Sequence, residues 1–159
     1  MHIRRLRKRR YEKQTGITLL ELIIAAFILL ILTSAALPIV RHTIVRQRET
    51  ELRRSLREIR DAIDRYKDAA DRGLIRTELG SEGYPPDLET LVKGVTIGPQ
   101  QRVRFLRRIP IDPMTNHGAW GLRSIQDDTD SSSWGGQNVF DVYSKSSGTA
   151  LDGTKYADW

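Results

Sequence analysis

One carboxylate, Glu21, stands inside an otherwise uncharged run from Ile17 to Val40. An acid of this kind near the centre of a spanning helix costs roughly 2.5 to 3.5 kcal/mol on insertion scales, so it needs a partner and marks a functional candidate. The other groups able to do chemistry are sparse. The 159 residues include no cysteine, which removes disulfides, thiolate metal sites and cysteine nucleophiles. Of the three histidines, His2 and His42 flank the apolar run and only His117 lies in the later sequence. A Ser–His–Asp arrangement with Asp112 has no Gly-x-Ser-x-Gly turn to support it, and no Gly-rich phosphate loop is present. His117 therefore reads as a loop histidine without a chemical task, and the chain as no enzyme. Trp120, Trp134, Trp159, Phe105 and Phe140 read as packing residues rather than a ligand cage.

Gly16 followed by Ile17, Thr18, Leu19, Leu20 and Glu21, behind a basic leader, resembles the processing signal of type IV pilins and type II secretion pseudopilins. The resemblance implies that prepilin peptidase cuts between Gly16 and Ile17 and methylates the new Ile17 amine. It also implies that Glu21 serves filament assembly and that Pro38 sits where the family weakens its helix. The physics is consistent with this. Once Ile17 is freed, its α-amine ordinarily titrates near about pH 8 and is cationic at neutral pH, so proteolysis creates the countercharge Glu21 lacks. Ile17 and Glu21 are i and i+4, so the pair can form within one subunit or between neighbours. Between neighbours it selects one axial register, since any other stagger leaves a charge unpaired in lipid. Two rivals remain for this segment. One is a plain signal anchor whose glutamate lies near the interface; the other is a secretory signal cleaved after Thr33, Ser34 and Ala35.

The elements that must position these groups follow from patterning. Ile17 to Val40 is long enough, at about 36 Å as a helix, to cross a hydrocarbon core of roughly 30 Å. Pro38 removes a donor and leaves the Ser34 carbonyl without its helical partner, which predicts a kink, with the Thr33 and Ser34 hydroxyls able to satisfy freed groups. Beyond it Leu52, Leu56, Ile59, Ile63, Tyr66 and Ala70 recur at spacings of four and three, one stripe of a helix. Glu49 with Arg53, Arg57 with Asp61, Asp61 with Arg65 and Asp68 with Arg72 are spaced as i,i+4 pairs, and Gly73 terminates the helix. The net charge of +6 belongs to the leader: residues 1–16 hold seven basic side chains against one acid, leaving nineteen of each sign elsewhere. That asymmetry keeps the N-terminus cytoplasmic. No basic stripe with interleaved aromatics remains to bind nucleic acid.

After Leu74 the sequence predicts a short helix at Leu88–Val92 behind Tyr84, Pro85, Pro86 and Asp87, and a weak strand at 102–106. Better strands are predicted at 119–125 and 138–144, with a polar loop over 127–137. The expected fold is α+β and pilin-like: one long N-terminal helix packed on a small antiparallel sheet of three strands, with a loop-rich C-terminus. The expected organisation is a removable leader (1–16), a membrane and assembly helix (17–40), its amphipathic continuation (41–72) and a periplasmic domain (73–159). The order of landmarks from Tyr84 and Pro85 to Asp158 and Trp159 resembles the major pseudopilin. The lack of cysteine points the same way, since many pilins close a C-terminal disulfide. The resemblance further implies calcium held in the C-terminal loop, for which Asp141, Ser144, Asp152 and Asp158 offer oxygens; a solvated acidic loop without metal is the other reading. The implied partners are copies of the chain itself, prepilin peptidase, membrane lipid before assembly, and an inner-membrane platform with minor pseudopilins. A surface pilin and an exported binding domain or enzyme are the alternatives.

Overall fold

Thr18 opens the first element. In the computed structural model its side-chain oxygen accepts from the Glu21 backbone N–H at 3.2 Å, and its carbonyl accepts from Leu22 N at 3.1 Å. Helix α1 accordingly spans Leu19–Asp71, not Ile17–Arg72, because a threonine oxygen supplies one of the bonds the first helical turn lacks. The structure describes residues 16–98, 101–115, 118–129 and 131–159, and of 35–41 the backbone alone. Two units are distinguished, 1–41 and 42–159.

In the first unit every large apolar side chain from Ile17 to Leu32 is at least half exposed. The Thr33 hydroxyl donates to the carbonyls of Leu29 and Leu30, and that of Ser34 to Ile31. These hydroxyls thus bond back along their own turn, rather than to the Ser34 carbonyl that Pro38 leaves free. The side chain of Pro38 and the kink expected there lie outside the described residues, although α1 is helical across that position.

The second unit is built on the rest of α1. Leu52, Leu56, Ile59, Ile63 and Tyr66 are buried as their spacing predicts, joined by Ala62. The stripe ends on Ala69 rather than Ala70, since a 3.6-residue turn drifts from strict four-three alternation. Gly73, at φ 69°, closes the helix: its N–H donates to Ala70 O at 2.8 Å, and Leu74 N donates to Ala69 O at 3.0 Å. That double bond pattern needs a left-handed residue, which glycine supplies cheaply.

Helix α2 (Leu88–Lys93) starts where the Asp87 carboxylate accepts from the Thr90 N–H and hydroxyl, and it lowers Leu88 and Leu91 into the core. Among the described residues four short strands follow, β1 (Val95–Ile97), β2 (Gln101–Val103), β3 (Trp120–Arg123) and β4 (Asp141–Ser144). They form two separate antiparallel pairs, with Thr96 opposite Arg102 and Gly121 opposite Tyr143. This corrects the expected single three-stranded sheet. The three residues of β1 are too few to show a strand pattern in sequence. The weak strand ends at Val103 because Phe105 N and Leu106 N both turn to the Leu91 carbonyl, carrying their side chains under α1. The core is one cluster: the α1 stripe meets Leu88, Leu91, Phe105, Leu106, Trp120, Val139, Val142 and Tyr156, with Tyr66 and Phe105 edge to face at 5.5 Å. The fold is α+β, a long N-terminal helix with small antiparallel sheets.

Candidate functional site

Gly16, Ile17 and Thr18 precede the helix, with Ile17 74% exposed and open space where a Gly16 side chain would be. The peptide bond between Gly16 and Ile17 is therefore outside regular structure. Glu21 is the third residue of α1, three after its cap, the spacing of a capping box. Ile17 lies before the cap, so Ile17 and Glu21 are not an i,i+4 pair on a helical face, which their spacing in sequence predicts. The charge logic survives in another form. A helix N-terminus carries roughly half a positive charge; a freed Ile17 amine would add to it, and a carboxylate in the first turn offsets both.

From Leu19 to Leu32 every exposed side chain except that of Glu21 is apolar, which in water would be a large unfavourable surface. Lipid or other protein must cover it. Among the described residues no helix is long and apolar enough to cross a membrane; the side-chain description of this segment stops at Ser34.

The four oxygen donors near the C-terminus are drawn to different partners. Asp141 forms an ion pair with Arg60, at 2.7 Å from Nε to Oδ1, and the Ser144 hydroxyl donates to the buried Asp112 at 2.7 Å. Asp152 accepts from the N–H and hydroxyl of Thr154 and faces Arg53 at 3.4 Å. The Thr154 hydroxyl and N–H, with help from Arg53, hold its carboxyl below the ordinary aspartate value. Asp158 is exposed in a short 3₁₀ turn, Tyr156–Asp158. Among the described residues no group of three or more acidic or histidine side chains converges to hold a metal, and these four do not fit calcium as a set. Asp112 also accepts from Met114 N at 2.8 Å, so its two oxygens are taken up locally; His117 lies outside the described residues.

Sequence reasoning missed what Glu49, Arg53 and Arg60 do. The Glu49 carboxylate accepts from Leu151 N at 2.8 Å and from the Tyr156 hydroxyl at 3.1 Å. Arg53 stacks on the Trp159 ring at 3.7 Å. With Leu56, these residues lie at 49, 53, 56 and 60, one face of α1 beside the apolar stripe. That spacing is the signal that could have found them, but it also fits i,i+4 pairing within the helix. Among the described residues the i,i+4 ion pairs formed are Lys67 with Asp71 inside α1 and Asp68 with Arg72 just past its end. Arg65 reaches instead to the carbonyls of Asp61 and Phe105.

Residues 12–37 match a family model described as the prokaryotic N-terminal methylation motif. Neither curated proteins nor solved structures gave a match. The matched stretch contains Gly16, Ile17 and Glu21, and the motif is that of membrane-anchored precursors processed by prepilin peptidase into structural subunits of pilus-like assemblies. In its N-terminal segment the chain is thus similar to type IV pilin-like preproteins, a likeness that takes in pilins and pseudopilins alike.

Proposed function

We propose that this chain is a structural subunit of a type II secretion pseudopilus. It is made as a single-pass inner-membrane precursor, is cut between Gly16 and Ile17, and polymerises through its apolar helix to drive protein export. The observation that carries this is the methylation motif over residues 12–37, with Gly16 and Ile17 ahead of the helix and Glu21 in its first turn. The exposed apolar surface of Leu19–Leu32 supports it, since lipid before assembly and neighbouring copies afterwards would each cover that surface. The absence of cysteine favours the pseudopilus over a surface pilus closed by a disulfide. Glu21 is the assembly residue, neutralised by the methylated Ile17 amine of its own or a neighbouring copy.

Mass spectrometry of the chain produced with a prepilin peptidase tests this directly. A mature protein beginning at N-methylated Ile17, with filaments that depend on secretion genes, is the expected result. A start at Ala36 or Leu37, or a retained leader, would refute it. Filaments that depend on motility genes instead would transfer the subunit to a surface pilus.

A further inference from the structure

Four oxygens converge on one point between α1 and the C-terminal segment, and the group at that point is the Arg60 guanidinium. Its Nε meets Asp141 Oδ1 at 2.7 Å; its Nη2 meets Asp141 Oδ2 at 3.2 Å, the Val142 carbonyl at 3.1 Å and the Trp159 main-chain oxygen at 2.7 Å. A carboxylate taken by both oxygens, with main-chain carbonyls completing the set, is the donor type that a hard divalent cation selects. Here a fixed side-chain cation fills it, and its planar fork satisfies the carboxylate and the carbonyls together. A calcium ion could enter only by expelling a like charge that is already half-buried and hydrogen-bonded.

We infer that Arg60 occupies a cation site, so that β4 and the Trp159 end of the chain are fastened to α1 without divalent metal. The inference concerns residues 42–159 alone and stands whether the filament is a pseudopilus or a pilus. Arg60 is a positioning residue: it joins the strand Asp141–Ser144 and Trp159, which caps the 3₁₀ turn Tyr156–Asp158, and both are distant in sequence from the helix that carries it. Glu49 and Arg53 hold the same segment from earlier turns of the helix, so the C-terminal residues are gripped along one face of α1.

The test uses the full chain in detergent, comparing thermal unfolding in EGTA and in about 10 mM calcium, above the 10⁻⁴ to 10⁻³ M range of weak single sites. The wild type should melt at the same temperature in both. Arg60→Met should melt lower in EGTA by about 4–8 °C, as expected for losing charge-assisted bonds in a chain of this size. It should also be cut by trypsin near Lys145 and Lys155 faster than the wild type. With the guanidinium gone the same oxygens lose their cation, with Asp141 Oδ1 still accepting from Val142 N, so calcium should raise the melting temperature of Arg60→Met and slow that cleavage. Stabilisation of the wild type by calcium would overturn the inference, as would an Arg60→Met chain that melts like the wild type or ignores calcium. Should Arg60→Met fail to fold, the wild-type comparison in EGTA and calcium decides alone.

Discussion

At the scale of single residues, Gly121 is a position where a side chain does not fit. Its cross-strand partner is Tyr143, and a Cβ at position 121 would run into the Tyr143 ring, over which the Arg123 guanidinium stacks at 4.4 Å. Gly121→Ala should therefore cost about 1–3 kcal/mol, as overpacking does, in a denaturant titration. Gly121→Ala combined with Tyr143→Ala should cost less than the two changes added separately, because removing the ring removes the clash. Titration adds a second residue-scale expectation. Asp152, held low by Thr154 and Arg53, contributes stability that is complete above the ordinary 3.8 and is lost as pH falls through its lower folded value. Tyr156 is raised by burial and by Glu49, so its share is complete below 10.0 and is lost as pH rises through its higher folded value. Melting curves of Asp152→Asn between about pH 2 and pH 5 should show a shallower acid loss than those of the wild type.

At the scale of elements, the apolar stripe of α1 is the member on which the others are assembled. Ile59 is fully buried among core residues, whereas Ile44 on the same helix is 45% exposed. Ile59→Ala should destabilise the detergent-solubilised chain by about 2–5 kcal/mol, and Ile44→Ala by no more than about 0.5 kcal/mol; equal effects would mean the stripe does not carry the domain. Most of this helix was legible from spacing, because a helix that buries one side must repeat its apolar residues at three and four. Its end was legible from Gly73, and α2 from Asp87. The strands were less so. Runs of three or four residues hold too few alternations to define a register, and the separation into two pairs depends on Phe105 and Leu106 bonding to Leu91, a contact no local pattern announces. The destinations of Glu49, Arg53 and Arg60 were only half legible, since their spacing marks one face of α1 but fits pairing within the helix as well as the partners far along the chain.

At the scale of the whole molecule, the two ends of α1 answer to different surroundings. The part that begins at Leu19 exposes apolar groups on all sides, and the part from Leu52 buries one stripe under its own domain. Stability of the domain and assembly of the filament should therefore respond to different changes. Glu21→Ala should leave the melting temperature and membrane association unchanged while abolishing filaments seen by electron microscopy; normal filaments would end the role assigned to that carboxylate. The N-terminal signal was the most legible feature of all, since a glycine, a spacing and a charge in an apolar run are written in consecutive residues. What the helix start added was Thr18, which takes the Glu21 N–H and leaves Ile17 outside the first turn.

Among the described residues the strands form two separate ladders of three and four residues, so each outer rim is only a few peptide units long, and on β4 the Val142 carbonyl and N–H are already taken by Arg60 and Asp141. A chain concentrated side by side with its copies is at risk of joining them by backbone pairing, and such short rims offer little template for it. Crowding of these domains can then proceed through side chains and helices, with runaway cross-strand stacking disfavoured from the outset.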